Sequence, residues 1–145
     1  MNQKEKFKDN ILFLAWAVSV VATFGSLYFS EVRHFEPCTL CWYQRILMYP
    51  FTILLSVAIV KKDHRISLYS MILSFIGILT SSYHYAIQKI TSFGEVAGAC
   101  GRIPCTGEYI NWGGFITIPF LALMAFIMIF ICSYILWRQL KKENI

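Results

Sequence analysis

The sequence predicts an all-α membrane protein, a four-transmembrane-helix bundle with two extracytoplasmic loops that carry cysteines. Three observations lead there. The 145 residues are 57% hydrophobic and only 14% charged, a balance that a soluble domain of this size rarely shows. The apolar residues are gathered into four blocks, at 11–29, 43–60, 66–87 and 115–137, each long enough to cross about 30 Å of hydrocarbon as helix. Four of the five cysteines fall in two close pairs, Cys38 with Cys41 and Cys100 with Cys105, each in a polar break between blocks.

The first span, 11–29, has no charged residue and follows Lys4, Lys6 and Lys8, the layout of a secretory signal. It is longer than a usual signal core, and Thr23-Phe24-Gly25-Ser26 is a poor cleavage site, so we read it as retained. Loop 30–42 leads to the second span, 43–60, whose one charge is Arg45. The short stretch Lys61-Lys62-Asp63-His64-Arg65 joins this hairpin to the third span, 66–87, which holds His84 three residues from its end. Loop 88–114 is the longest piece outside the spans and is glycine-rich; it reads either as a moving carrier of Cys100 and Cys105 or as a plain connector. The fourth span, 115–137, is again uncharged, and Cys132 within it reads as a packing residue, since a free cysteine behaves as a small buried hydrophobe. Too little remains outside the spans to build a soluble domain, so residues 1–145 form a single integral membrane domain.

Alternation across the bilayer puts loops 30–42 and 88–114 on one side whatever the absolute orientation. Basic residues near span ends choose that side. Lys4, Lys6, Lys8, Lys61, Lys62, Arg65, Arg138, Lys141 and Lys142 stand against Arg33, Arg45, Lys89 and Arg102. Nine against four places both termini in the cytoplasm and both cysteine pairs outside it, where disulfides persist. The location expected is therefore the cytoplasmic membrane. The net charge of +5 is an orientation signal; with no basic stripe to follow a phosphate backbone, nucleic acid is excluded as a partner.

Chemistry concentrates around Cys38, Cys41 and Arg45. Pro37 precedes the pair and the apolar run begins just after it, so the C-x-x-C opens the second helix. Continued as helix at about 100° per residue, the three side chains share a face, with Arg45 one turn deeper than Cys41. A helix N-terminus and a nearby cation both stabilise a thiolate, which favours Cys41 as the reactive sulfur at the lipid boundary. Cys38, nearer water, is better placed to exchange with another dithiol. Arg45 is either an interfacial anchor or, since ionisable groups inside spans are costly, part of a site. His84, between Tyr83 and Tyr85, is either a member of an aromatic belt or, level with Arg45, a binder of the oxygen of a lipid-soluble ring. A bridge between Cys100 and Cys105 would close a short ring that spares little chain entropy, which suits a labile, oxidising disulfide better than a structural one. The four-cysteine spacing also fits zinc ligation, but an oxidising compartment and the siting of one pair at the membrane line argue against a metal.

This order resembles the DsbB disulfide-bond-formation proteins, most closely the short BdbC type of Gram-positive bacteria. The resemblance covers essentially the whole chain and is most specific over Pro37-Cys38-Thr39-Leu40-Cys41-Trp42-Tyr43-Gln44-Arg45. It implies a membrane thiol:quinone oxidoreductase that reoxidises a thioredoxin-like, DsbA-type (BdbD-like) oxidase and passes electrons to menaquinone or ubiquinone. It further implies that Cys41 reacts with the quinone, with Arg45 beside the head group and His84 as a quinone contact. By the same resemblance Cys38 exchanges with the loop pair, Cys100 forms the mixed disulfide with the partner, and Cys105 joins Cys38 in an interloop bridge. The sequence departs from longer members of the family by having four residues between Cys100 and Cys105, where those members carry a long insertion with a membrane-surface helix.

Two other classes stand beside this one. A vitamin K epoxide reductase-type enzyme is also a four-helix quinone reductase, but its C-x-x-C belongs near the start of the last helix. A tetraspan scaffold or transport subunit would hold two inert structural disulfides instead of an exchangeable set.

Overall fold

A computed structural model describes residues 2–34, 39–89 and 117–145. These form four long helices: α1 (Gln3–Leu27), α2 (Thr39–Lys61), α3 (Ile66–Lys89) and α4 (Ile118–Glu143), with a single π-helical turn, Tyr28–Val32, extending α1. The shortest, at 23 residues, is roughly 35 Å long at the α-helical rise, enough to cross a bilayer core. All four are long and apolar enough to do so, and the protein is a multi-pass membrane protein. Large apolar side chains such as Phe24, Ile53 and Leu79 are exposed on the outside of the bundle, where lipid replaces water as the neighbour.

Consecutive helices run antiparallel and pack side by side. The fourth returns to lie against α1 as well as α3, so the bundle closes on itself. Its most extensive seam is α3 against α4. Lipid gives helices no hydrophobic reason to associate, so close contact of small residues and interhelical hydrogen bonds must hold them. The buried face of α3 supplies both. Ser67, Ser70, Ser74, Gly77, Ser81 and His84 recur at helical spacing, and Ser133 on α4 donates to the Ser70 hydroxyl at 2.8 Å. Gly77 receives the ring of Phe126, which is fully buried; a Cβ on Gly77 would overlap that ring. Cys132, also buried on α4, belongs to the core cluster with Ile129 and Leu136.

Polar contacts tie the middle of the α1–α2 seam. Trp16 Nε1 donates to Ser56 Oγ at 2.6 Å, and the hydroxyls of Thr23 and Thr52 pair at 3.1 Å. At the far end of the bundle from Cys41, Lys8 bonds both carboxylate oxygens of Glu143, at 3.0 and 2.9 Å, and His64 meets Asp9 at 2.8 Å. There α2 ends with Lys62 in the left-handed region, at φ 52°. Its N–H bonds the Ile59 carbonyl, and the Asp63 N–H bonds that of Ala58, which satisfies two of the four carbonyls at the helix end.

Candidate functional site

α1, α2 and α4 do not close on one another completely. Between them lies a cavity of about 550 Å³. Its polar groups gather towards the end where α2 begins: Cys41 and Arg45 on α2, and Ser26 on α1. The remainder is mainly apolar, walled by residues such as Val18, Val21, Leu121 and Met128. The chamber is polar at one end and oily along its length.

Helical spacing explains why α2 contributes several groups to one wall. Cys41 lies in its first turn and Arg45 four residues on, with Gln44 and Met48 on the adjoining face, and all four line the cavity. The Arg45 guanidinium is held from across the seam, where Nε donates to Ser26 Oγ at 2.9 Å and an Nη to the Ser26 carbonyl at 3.1 Å. It also sits 5.4 Å from the centre of the Trp42 ring, a cation–π distance. Two of the five guanidinium N–H groups are thus engaged by Ser26, so the plane of the fork is fixed while its charge stays at the cavity wall.

His84 lies elsewhere. It is almost completely buried and is not among the residues that line the cavity. It reaches the chamber at one remove, because its Nδ1 pairs with Gln44 Nε2 at 3.0 Å, and Gln44 is itself a lining residue. A carboxamide nitrogen donates, so in this pair His84 Nδ1 accepts. Of the six residues expected to act, Cys41, Arg45 and His84 are described; Cys38, Cys100 and Cys105 lie outside the described residues, as do Pro37 and most of the glycine-rich loop.

The comparisons with known proteins agree on one family. The family described as "Disulfide bond formation protein DsbB" matches residues 8–136, nearly the whole chain. The chain belongs to the DsbB family. Among its DsbB-family relatives, "Probable disulfide formation protein C 1" of Bacillus cereus is 61% identical over 136 residues, covering 94% of this chain and 98% of the relative. "Disulfide bond formation protein C" of Bacillus subtilis is 51% identical, covering 86% and 91%. A "Probable disulfide formation protein" of Coxiella burnetii is 42% identical, covering 81% of each. No solved structure matches. Membership of the DsbB family gives the chain a role in disulfide bond formation, as a disulfide oxidoreductase working with a thiol–disulfide oxidase partner.

Three residues of this site escaped the reading of the sequence. Gln44 was visible only as part of the C-x-x-C-x-x-x-R stretch, yet its spacing from Cys41 and Met48 puts it on the inward face. In the sequence Ser26 stands out only as the end of Thr23-Phe24-Gly25-Ser26, a poor cleavage site. Tyr49, one further turn along α2, carried no signal beyond its helical register with Arg45.

Proposed function

We propose that this chain is a thiol:quinone oxidoreductase that reoxidises an extracytoplasmic thioredoxin-like, DsbA-type oxidase and passes the electrons to menaquinone or ubiquinone. One observation carries the reading: Cys41 and Arg45 open onto the same apolar chamber. A flat ring with carbonyl oxygens on a long hydrocarbon tail suits such a chamber, with its charged donor at one end and oily walls beyond. When bound, the quinone supplies the sink, taking two electrons and two protons to become the hydroquinone while a dithiol becomes a disulfide.

The protein's own residues divide the work. Arg45, fixed by Ser26, offers remaining N–H groups to a carbonyl oxygen. His84 acts through Gln44, holding that side chain at the cavity wall. The DsbA-type partner presents a thiolate that attacks the Cys100–Cys105 disulfide and forms a mixed disulfide with Cys100; Cys105, freed, attacks Cys38–Cys41, forming Cys38–Cys105 and releasing the Cys41 thiolate. The partner's second thiol displaces Cys100 and leaves the partner oxidised; Cys100 then recloses its bridge with Cys105 and releases Cys38, so that Cys38 and Cys41 form the dithiol that a quinone would reoxidise. Each of these exchanges needs a thiolate attacking a disulfide sulfur. The partner is itself a strong oxidant, and for a two-electron couple about 30 mV is worth about 1.4 kcal/mol, so only a high-potential acceptor keeps the cycle running. Both cysteine pairs then face the extracytoplasmic side, with the termini in the cytoplasm.

The test is Cys41→Ser. Anaerobically, with reduced DsbA-type oxidase as donor, the variant should reduce no added quinone while wild type does. Quinone reduction at the wild-type rate by Cys41→Ser would remove Cys41 from the pathway. Failure of wild type to reduce any quinone would instead mean that the electrons go to a different acceptor.

A further inference from the structure

We infer that the hydroxyl of Tyr49 is a second hydrogen-bond donor to the quinone ring, taking the carbonyl opposite the one that Arg45 holds. The inference rests on the quinone reading above and adds a residue that sets which rings are accepted.

Position comes first. Cys41, Arg45 and Tyr49 follow one another at four-residue steps on α2, and all three line the cavity. Four residues advance a helix by about 6 Å, a step on the scale of the distance between para oxygens across a six-membered ring. Long side chains on a helix lean towards its N-terminus, which for Tyr49 is the direction of Arg45 and Cys41.

Satisfaction comes second. The Tyr49 hydroxyl oxygen is buried and has no hydrogen-bond partner among the described residues. A buried tyrosine hydroxyl normally finds one, and in hydrocarbon no bulk water stands in for it. The ring of Tyr49 packs against the core cluster, a task that phenylalanine performs without burying an unpaired oxygen. A hydroxyl at this point therefore has a use that packing does not supply. The other polar groups of the chamber are engaged within the protein, Arg45 with Ser26 and the Gln44 amide nitrogen with His84. Tyr49 stands one turn deeper than Arg45 on the chamber wall, its hydroxyl closed off from the chamber; a turn of the side chain towards a bound ring would present that donor, and with Arg45 it would bracket a ring whose oxygens lie para to each other.

The experiment is binding, measured by equilibrium dialysis on full-length, oxidised protein in detergent, with two probes. Menadione is a para-naphthoquinone with both carbonyls; tetralone has the same bicyclic frame and a single carbonyl, which the charged donor Arg45 claims. Tyr49→Phe should weaken menadione binding about tenfold, the loss of one hydrogen bond, and leave tetralone binding within about twofold of wild type. Tetralone also reports that the variant keeps its cavity. Equal binding of menadione by wild type and Tyr49→Phe would overturn the inference, as would a parallel loss for both probes, which marks a packing role. If wild type itself binds neither probe, the quinone reading falls and this inference with it.

Discussion

Arg45→Ala is the sharpest probe of the chamber. The substitution removes a cation and the two hydrogen bonds to Ser26, at 2.9 and 3.1 Å, while leaving Cys41 in place. A hydrogen bond involving a charged group contributes about 1.5–3 kcal/mol. A quinone carbonyl is a neutral, weak acceptor, and Arg45 is only half-buried, so the lower end applies. About 1.4 kcal/mol corresponds to a tenfold change in affinity, and the apparent KM for quinone should rise by about that factor. Folding should survive, because losing two bonds to Ser26 is offset by no longer holding a cation inside a span, itself a cost of about 2.5–3.5 kcal/mol. The assay is steady-state quinone reduction with a reduced DsbA-type donor in excess. Two companions sharpen it. Ser26→Ala takes away one acceptor and leaves the other, so KM should rise about threefold, less than a full hydrogen bond would give. Arg45→Lys keeps the charge but replaces the planar fork by a point donor, and should fall between wild type and Arg45→Ala. An unchanged KM in folded Arg45→Ala protein refutes the contact, and Arg45→Lys indistinguishable from wild type refutes the role of the fork.

Two further changes test what surrounds the chamber. Gln44→Leu takes from His84 Nδ1 its bond to the carboxamide, and should lower unfolding stability by about 1–3 kcal/mol, read from a denaturant titration in detergent; full retention of stability would mean that the pair is not a buried bond. Gly77→Ala drives a methyl into the Phe126 ring, so the α3–α4 seam must spread; the expected loss is about 1–3 kcal/mol, with partial recovery in Gly77→Ala/Phe126→Leu, and a thermal midpoint equal to wild type would show the seam to be loose.

Much of this architecture is written in the amino-acid sequence because the bilayer leaves few choices. Uncharged stretches such as 11–29 and 115–137 have to be helical to satisfy their backbone, and alternation then fixes which ends lie together. The shared wall of Cys41 and Arg45 follows from a four-residue spacing alone. What spacing does not give is the facing partner. That Arg45 meets Ser26, and Gln44 meets His84, depends on how the helices are rotated against one another, and helices apolar on every side carry little record of that. For this reason His84, level with Arg45 in the sequence reading, turned out to stand behind Gln44 instead of at the cavity wall. The record was present on α3, where Ser67, Ser70, Ser74, Gly77 and Ser81 mark a face made for close approach, but small residues are easily passed over beside their apolar neighbours.

The placement of Cys132 has a consequence for thiol exchange. It sits fourteen residues into α4, counting on from Ile118, which lines the chamber alongside Cys41. At the helical rise that is roughly 21 Å of intervening hydrocarbon and packed side chain. Thiol–disulfide exchange demands that sulfurs touch, so a sulfur buried at that depth is out of reach of Cys41. The chain thereby keeps a cysteine for filling space where the Cys41 thiol cannot reach it.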